Sequence, residues 1–250
     1  MAKKKTSLLT SENRKTLHRN LDFTATEQYK LLRTNLEFTV PEGVKCPVIG
    51  VTSSMRSEGK STTAINLSYV LAEKGSRVLL IDGDLRLPSI SKKMSIPLTP
   101  GLTDLLMGNA INANEFQTEM LKNWYIIPAG NIPPNPSELL GGRRMETIIA
   151  KLREMFDYII IDLPPVNIVS DAISVAGLLD GTIVVIREEY TEKKELEHCF
   201  RQLKLANHNV LGCVLNGSKN EGGKYGKYRK YRYYKHSKYY QTPSVGENKT

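Results

Sequence analysis

A lysine and three aspartates stand where short apolar runs give out. The run VIGVTS passes into SMRSEGKST, and Gly59-Lys60-Ser61 falls at the turn where a strand would enter a helix. Successive backbone N–H groups and a helix N-terminus in that arrangement cradle phosphate oxygens. Lys60 is then placed to reach the β and γ oxygens of a nucleotide, and the Ser61 hydroxyl to ligate Mg²⁺. Ser54, Ser57, Glu58, Gly59, Lys60, Ser61 and Thr62 make up the expected nucleotide-binding segment. One departure is visible: Ser54 occupies the first glycine position of the pattern G-x-x-x-x-G-K-S/T. Asp82 and Asp84 close the run VLLIDGD, and Asp162 closes YIIID. A single aspartate after an apolar run is often only a strand terminator. In a parallel sheet, however, all these run ends fall on the carboxyl edge beside the loop. Three carboxylates and a phosphate cradle at one edge suit Mg²⁺, which takes few protein carboxylates and completes its shell with phosphate oxygens.

The elements that must hold these residues alternate regularly. Six apolar runs (PVIGVTS, RVLLIDGD, WYIIPAG, YIIIDLPP, GTIVVI and NVLGCVLNG) are continuous rather than alternating, the mark of strands buried on both faces. Between them lie helical stretches, including STTAINLSYVLAEKG, SDAISVAGLL and TEKKELEHCFRQLKLA. SELLGGRRMETIIAKLREMF also reads as helical, with Gly141 and Gly142 as a possible break. The expected fold class is α/β, a doubly wound and mostly parallel sheet. An earlier helix, ATEQYKLLRTNLEFT, puts Tyr29, Leu32 and Leu36 on one face, with Leu31 beside them and Thr24 or Thr26 as N-cap. Residues 1–22 read as a flexible polar N-terminus, 23–218 as the folded domain and 219–250 as a disordered tail.

Charge is unevenly spread. From Lys219 to Thr250 nine Lys/Arg stand against Glu221 and Glu247, a net +7 of the chain's formal +9, so the remainder carries only +2. Cys46, Cys199 and Cys213 offer neither a disulfide framework nor metal-ligand spacing, and the expected setting is reducing and cytoplasmic. No apolar stretch approaches the length of a membrane span, nor does the start carry a signal-peptide core. The tail also holds seven of the twelve tyrosines: Tyr225, Tyr228, Tyr231, Tyr233, Tyr234, Tyr239 and Tyr240. Interleaved tyrosine and basic residues suit nucleic-acid or membrane contact. They equally suit phosphorylation, since each phosphate brings about −1.5 to −2 charges and seven would invert the sign of the tail.

The combination SSMRSEGKST, VLLIDGDLRLP and YIIIDLPPV resembles the Walker A, A′ and B motifs of the bacterial tyrosine kinases, P-loop NTPases of the Gram-positive capsular and exopolysaccharide type. The likeness runs from about Glu27 to Asn216. It implies an ATP- and Mg²⁺-dependent protein-tyrosine kinase that autophosphorylates the tail cluster and regulates capsule or exopolysaccharide synthesis and export. By resemblance Lys60, Asp82 and Asp84 are catalytic, Ser61, Asp84 and Asp162 hold the metal, Asp82 is the candidate base and Asn216 an adenine contact. Arg86 reads either as a phosphate contact or as one half of a surface ion pair. Glu27, Lys30 and Arg33 match an E-x-x-R-x-x-R assembly element, with Lys30 in place of arginine, and imply a homo-oligomeric, octameric ring. The resemblance also implies a membrane adaptor that recruits and activates the chain at the inner face of the membrane, and a cognate tyrosine phosphatase; no specific nucleic acid is expected. The alternative is a partitioning-type P-loop ATPase with a nucleic-acid- or lipid-binding tail. Met55 stands where those ATPases carry their signature lysine, which counts against it.

Overall fold

The computed structural model describes residues 20–109 and 113–218. Six strands, β1 (Val48–Ser53), β2 (Val78–Asp82), β3 (Trp124–Ile127), β4 (Tyr158–Asp162), β5 (Gly181–Arg187) and β6 (Val210–Asn216), form one sheet in the order β3-β2-β4-β1-β5-β6. Every pairing of these strands is parallel. The chain fills one side of β1 with β2 and β3, inserts β4 next to β1, and then builds β5 and β6 on the other side. The carboxyl ends of β1, β2 and β4 therefore adjoin, as expected for a ligand crevice in an open α/β sheet.

Alternate residues of each central strand feed two separate cores. Ile49, Val51, Leu80 and Ile160 pack on one face with Leu36, Ile65 and Leu71. Val48, Leu79, Ile81 and Ile161 pack on the other with Leu140, Ile149 and Leu203. Burial of that kind contributes about 1.5–3 kcal/mol per large side chain, and it explains why the runs are apolar throughout. β6 departs from this expectation. It is an edge strand, and Cys213 and Leu215 are exposed.

The helices are α1 (Phe23–Thr39), α2 (Lys60–Glu73), α3 (Ile90–Met94), α4 (Leu102–Met107), α5 (Pro136–Leu140), α6 (Arg143–Arg153), α7 (Asp171–Ser174) and α8 (Lys193–Leu205). Gly141 and Gly142 do break the predicted long helix, separating α5 from α6. The cap of α1 is not Thr24 or Thr26 but Asp22, whose carboxylate accepts the Ala25 amide at 2.7 Å. Leu36 is buried on the inner face of α1, with Tyr29 and Leu32 partly buried on the same core, while Leu31 faces outward. No helix among the described residues is long and apolar enough to cross a membrane.

Candidate nucleotide and phosphoryl-transfer site

Register brings the first carboxylates together. Asp162 of β4 lies opposite Val51 of β1 on one side and opposite Asp82 of β2 on the other. Both aspartates are fully buried. Gly83 donates its amide to the Asp162 carbonyl at 2.8 Å, tying the two strand ends, and Asp84 follows on the loop.

Lys60 opens α2 and points into this cluster. Its Nζ donates to Asp84 Oδ2 at 2.9 Å, to Ser61 Oγ at 3.4 Å and to Asp162 Oδ1 at 3.5 Å. Burial opposes the lysine charge, but Asp162 and Asp84 outweigh it and hold the Lys60 pKa above its ordinary value. The Asp162 carboxyl is raised by burial, which Lys60 and the Ser61 hydroxyl only partly offset. For Asp82 burial and the neighbouring Asp162 charge prevail over backbone hydrogen bonding, and its pKa is pushed up to about 7. A carboxyl group that exchanges its proton near neutrality is matched to general-base work.

The loop before Lys60 is shaped for phosphate. Gly59 has φ +100°, and a Cβ there would lie 1.9 Å from Asn216 Nδ2, so glycine is required by both conformation and space. No side chain caps α2, which leaves its N-terminal turn to a ligand. Glu58 and Ser54, predicted for nucleotide contact, turn their side chains elsewhere. The buried Glu58 carboxylate accepts from Ser54 Oγ, the Met55 amide and Thr191 Oγ1. Asn216 likewise is used on the loop, with Nδ2 donating to the Glu58 carbonyl at 2.9 Å.

The donor set fits Mg²⁺. Asp162 Oδ2 is buried without a hydrogen-bond partner, and Asp84 and the Ser61 hydroxyl stand beside it as further hard oxygen donors. No group of three or more His, Cys, Asp or Glu side chains forms a metal cage among the described residues. Mg²⁺ needs none, because phosphate and water complete its octahedron.

Asp82 has a second task. Its Oδ2 accepts the amides of Ser89 and Ile90 at 3.1 and 3.0 Å, and its Oδ1 that of Asp84, so it also folds the loop leading to α3. Arg86 resolves as an ion pair. Its Nε and Nη2 donate to the buried Asp171 at 2.9 and 3.1 Å, and Ser137 joins the same carboxylate. Asp171 opens α7, Ser137 lies on α5, Arg187 ends β5 and Thr191 follows it on the loop to α8; they were not legible as site residues, because their partners are distant in sequence. Lys93 on α3 is another. Burial draws its pKa down, against the attraction of Asp162.

The assembly residues sit apart on α1. Lys30 pairs with Glu27 at 2.9 Å, whereas Arg33 Nη1 donates to the Val70 carbonyl at 2.7 Å, capping the last turn of α2. The tyrosine cluster lies outside the described residues.

Residues 48–211 match the AAA domain family. Over 211 residues the chain is 36% identical to tyrosine-protein kinase YwqD of Bacillus subtilis (strain 168), spanning 84% of this chain and 82% of that protein. Its fold is similar to the kinase domain of Escherichia coli tyrosine kinase ETK, with a TM-score of 0.74 and 30% identity over 80% of this chain and 78% of that one. The septum site-determining protein MinD of Pyrococcus horikoshii, solved with Mg-ADP, matches at a TM-score of 0.59 and 27% identity, covering 71% of this chain and 72% of its own. The likeness to the kinase domain is the greater, in keeping with Met55 at the signature-lysine position.

Proposed function

The chain belongs to the bacterial tyrosine-protein kinases, and from that membership we propose that it transfers the γ-phosphoryl group of Mg²⁺–ATP to the tyrosines of its own cluster, Tyr225 to Tyr240. The observation that carries the reading is the convergence of Lys60, Asp84 and Asp162 within 3.5 Å, beside an Asp82 carboxyl titrating at about 7. Mg²⁺–ATP bound there supplies the phosphoryl group and neutralises charge that develops during transfer. Asp84, Asp162 and Ser61 hold the metal. Lys60 leaves its carboxylates for the phosphate oxygens, and the loop amides cradle the rest. Asp82 accepts the phenolic proton. Its oxygens accept the amides of Asp84, Ser89 and Ile90, which fix the carboxylate and leave one of its roughly four lone-pair sites for the phenol.

The acceptor is a tail on another subunit of a ring in which α1 makes contacts through Glu27, Lys30 and Arg33. Phosphorylation reverses the tail charge and loosens that ring. A membrane partner recruits the chain to the inner face of the membrane, a phosphatase resets it, and the output is capsule or exopolysaccharide synthesis. The family resemblance supports these assignments.

Intact-mass measurement after incubation with ATP and Mg²⁺ tests the kinase. Stepwise gains of one phosphoryl group are expected in the wild type, and none in Lys60→Met or in a chain ending at residue 218. ATP hydrolysis without any mass gain, even with the partner's cytoplasmic segment added, would favour a plain ATPase. For the ring, Glu27→Ala with Arg33→Ala should reduce the mass of the unphosphorylated assembly, and an unchanged mass removes α1 from the interface.

A further inference from the structure

A glycine-rich phosphate loop takes its shape because glycine tolerates any φ and leaves room for phosphate. Here Ser54, Met55, Arg56 and Ser57 occupy that stretch, and Ser57 has φ +63°, which a residue with a Cβ adopts only when its surroundings impose it. Something other than glycine must hold the loop open. Contacts from the far side of the sheet are in place to do so. Thr191, on the loop between β5 and α8, donates its hydroxyl to Glu58 Oε1. The same hydroxyl accepts the Arg187 amide at 2.9 Å, which aims it. Arg187 Nη1 donates to the carbonyl of Ser57 at 3.0 Å, on the residue with the left-handed backbone. Asn216, at the end of β6, donates to the carbonyl of Glu58.

Glu58 is the centre of this arrangement. It is fully buried, and none of the ion pairs among the described residues includes it. A buried carboxylate without a counter-cation is stabilised by its hydrogen-bond donors alone, and such charge-assisted bonds are the strong ones. Two of its donors, Ser54 Oγ and the Met55 amide, belong to the phosphate loop itself. The hydroxyl of Thr191 comes from outside.

We propose that Thr191 is a positioning residue for nucleotide binding: through Glu58 it fixes Ser54 and Met55, with Arg187 fixing Ser57, so that the loop is kept in its phosphate-accepting conformation. The inference rests on the reading that this loop binds ATP. A loop that visits other conformations binds more weakly in proportion to the competent fraction. Removing one charge-assisted donor therefore weakens binding about tenfold.

The experiment is titration of the full chain with a fluorescent ATP analogue and Mg²⁺, alongside autophosphorylation kinetics and melting without nucleotide. Thr191→Val keeps the shape of the side chain and removes the donor. The expected result is a rise in Kd and KM of about tenfold with a smaller fall in kcat, restored by Thr191→Ser. Combined with Glu58→Gln, it should cost less than the two effects multiplied, because both remove the same contact. Equal affinity in Thr191→Val and wild type overturns the proposal, whether or not the melting temperature falls. A weakened variant that Thr191→Ser does not restore overturns it as well. Failure of the wild type itself to bind the analogue sinks the underlying ATP-site reading, a different and recognisable result.

Discussion

Two lysine–carboxylate pairs in this molecule have the same length and unlike surroundings. Lys60 and Asp84 are 2.9 Å apart with side chains 12% and 7% exposed; Lys30 and Glu27 are also 2.9 Å apart, but 40% and 32% exposed. The first pair is largely buried, and a second carboxylate, Asp162, shares the lysine. In the second, solvent screens both charges and each side chain gives up rotamer freedom to hold the contact. Distance alone thus says little. The dielectric around a pair decides whether it shapes chemistry or merely decorates a helix.

The comparison can be broken at its strong end first. Lys60→Met should lower autophosphorylation by about 10³-fold, the loss typical of a preorganised charge at a transition state, measured as incorporated phosphate per unit time. If activity survives within a few-fold, the buried pair is structural only.

Asp82→Asn comes next. Wild-type rate should rise with pH through about 7 as Asp82 becomes able to accept a proton, and the variant should lack that limb. Stability runs the other way. A carboxyl whose folded pKa is raised binds its proton more tightly in the native state, so its contribution is complete at low pH and is lost as pH climbs toward about 7. The advantage of Asp82→Asn over wild type in melting temperature should grow over that window. A constant difference would mean that Asp82 does not titrate there.

A third pair sharpens the rule from within. Asp171 is buried while Arg86 is 42% exposed. Arg86→Ala strands a buried carboxylate and should destabilise by about 2 kcal/mol, whereas Asp171→Asn frees an arginine that can reach water and should cost less. Chemical denaturation of both variants checks the asymmetry. Smallest of all, Glu27→Ala or Lys30→Ala should leave the melting temperature of the isolated subunit unchanged, and any small effect should fade with added salt.

How far the site was legible follows from the range of each signal. Asp82, Asp84 and Asp162 were readable because they close apolar runs, and Lys60 and Ser61 because their Gly-Lys-Ser turn follows one; a parallel sheet carries such ends to one edge. Ser54 and Glu58 were picked out by position and Asn216 by resemblance, and their side chains also serve the loop's shape, which spacing alone does not reveal. Arg33 was read as an assembly residue from its pattern, and the fold adds a contact to the last turn of α2 that lies 37 positions away in sequence. Asp171, Ser137, Thr191 and Arg187 gave no local signal at all.

The sequence by itself determined the α/β order, the continuous burial of the central strands, the glycine break between α5 and α6, and the presence of a phosphate loop with carboxylates, since all of these depend on neighbours within a few residues. The tertiary structure decided which carboxylates touch. Asp82 and Asp162 become in-register neighbours only after β4 inserts between β1 and β2. Burial beside that second charge is what moves Asp82 to about 7. A proton affinity depends on the dielectric and the charges within a few ångströms, and those are set by packing between segments far apart in the chain.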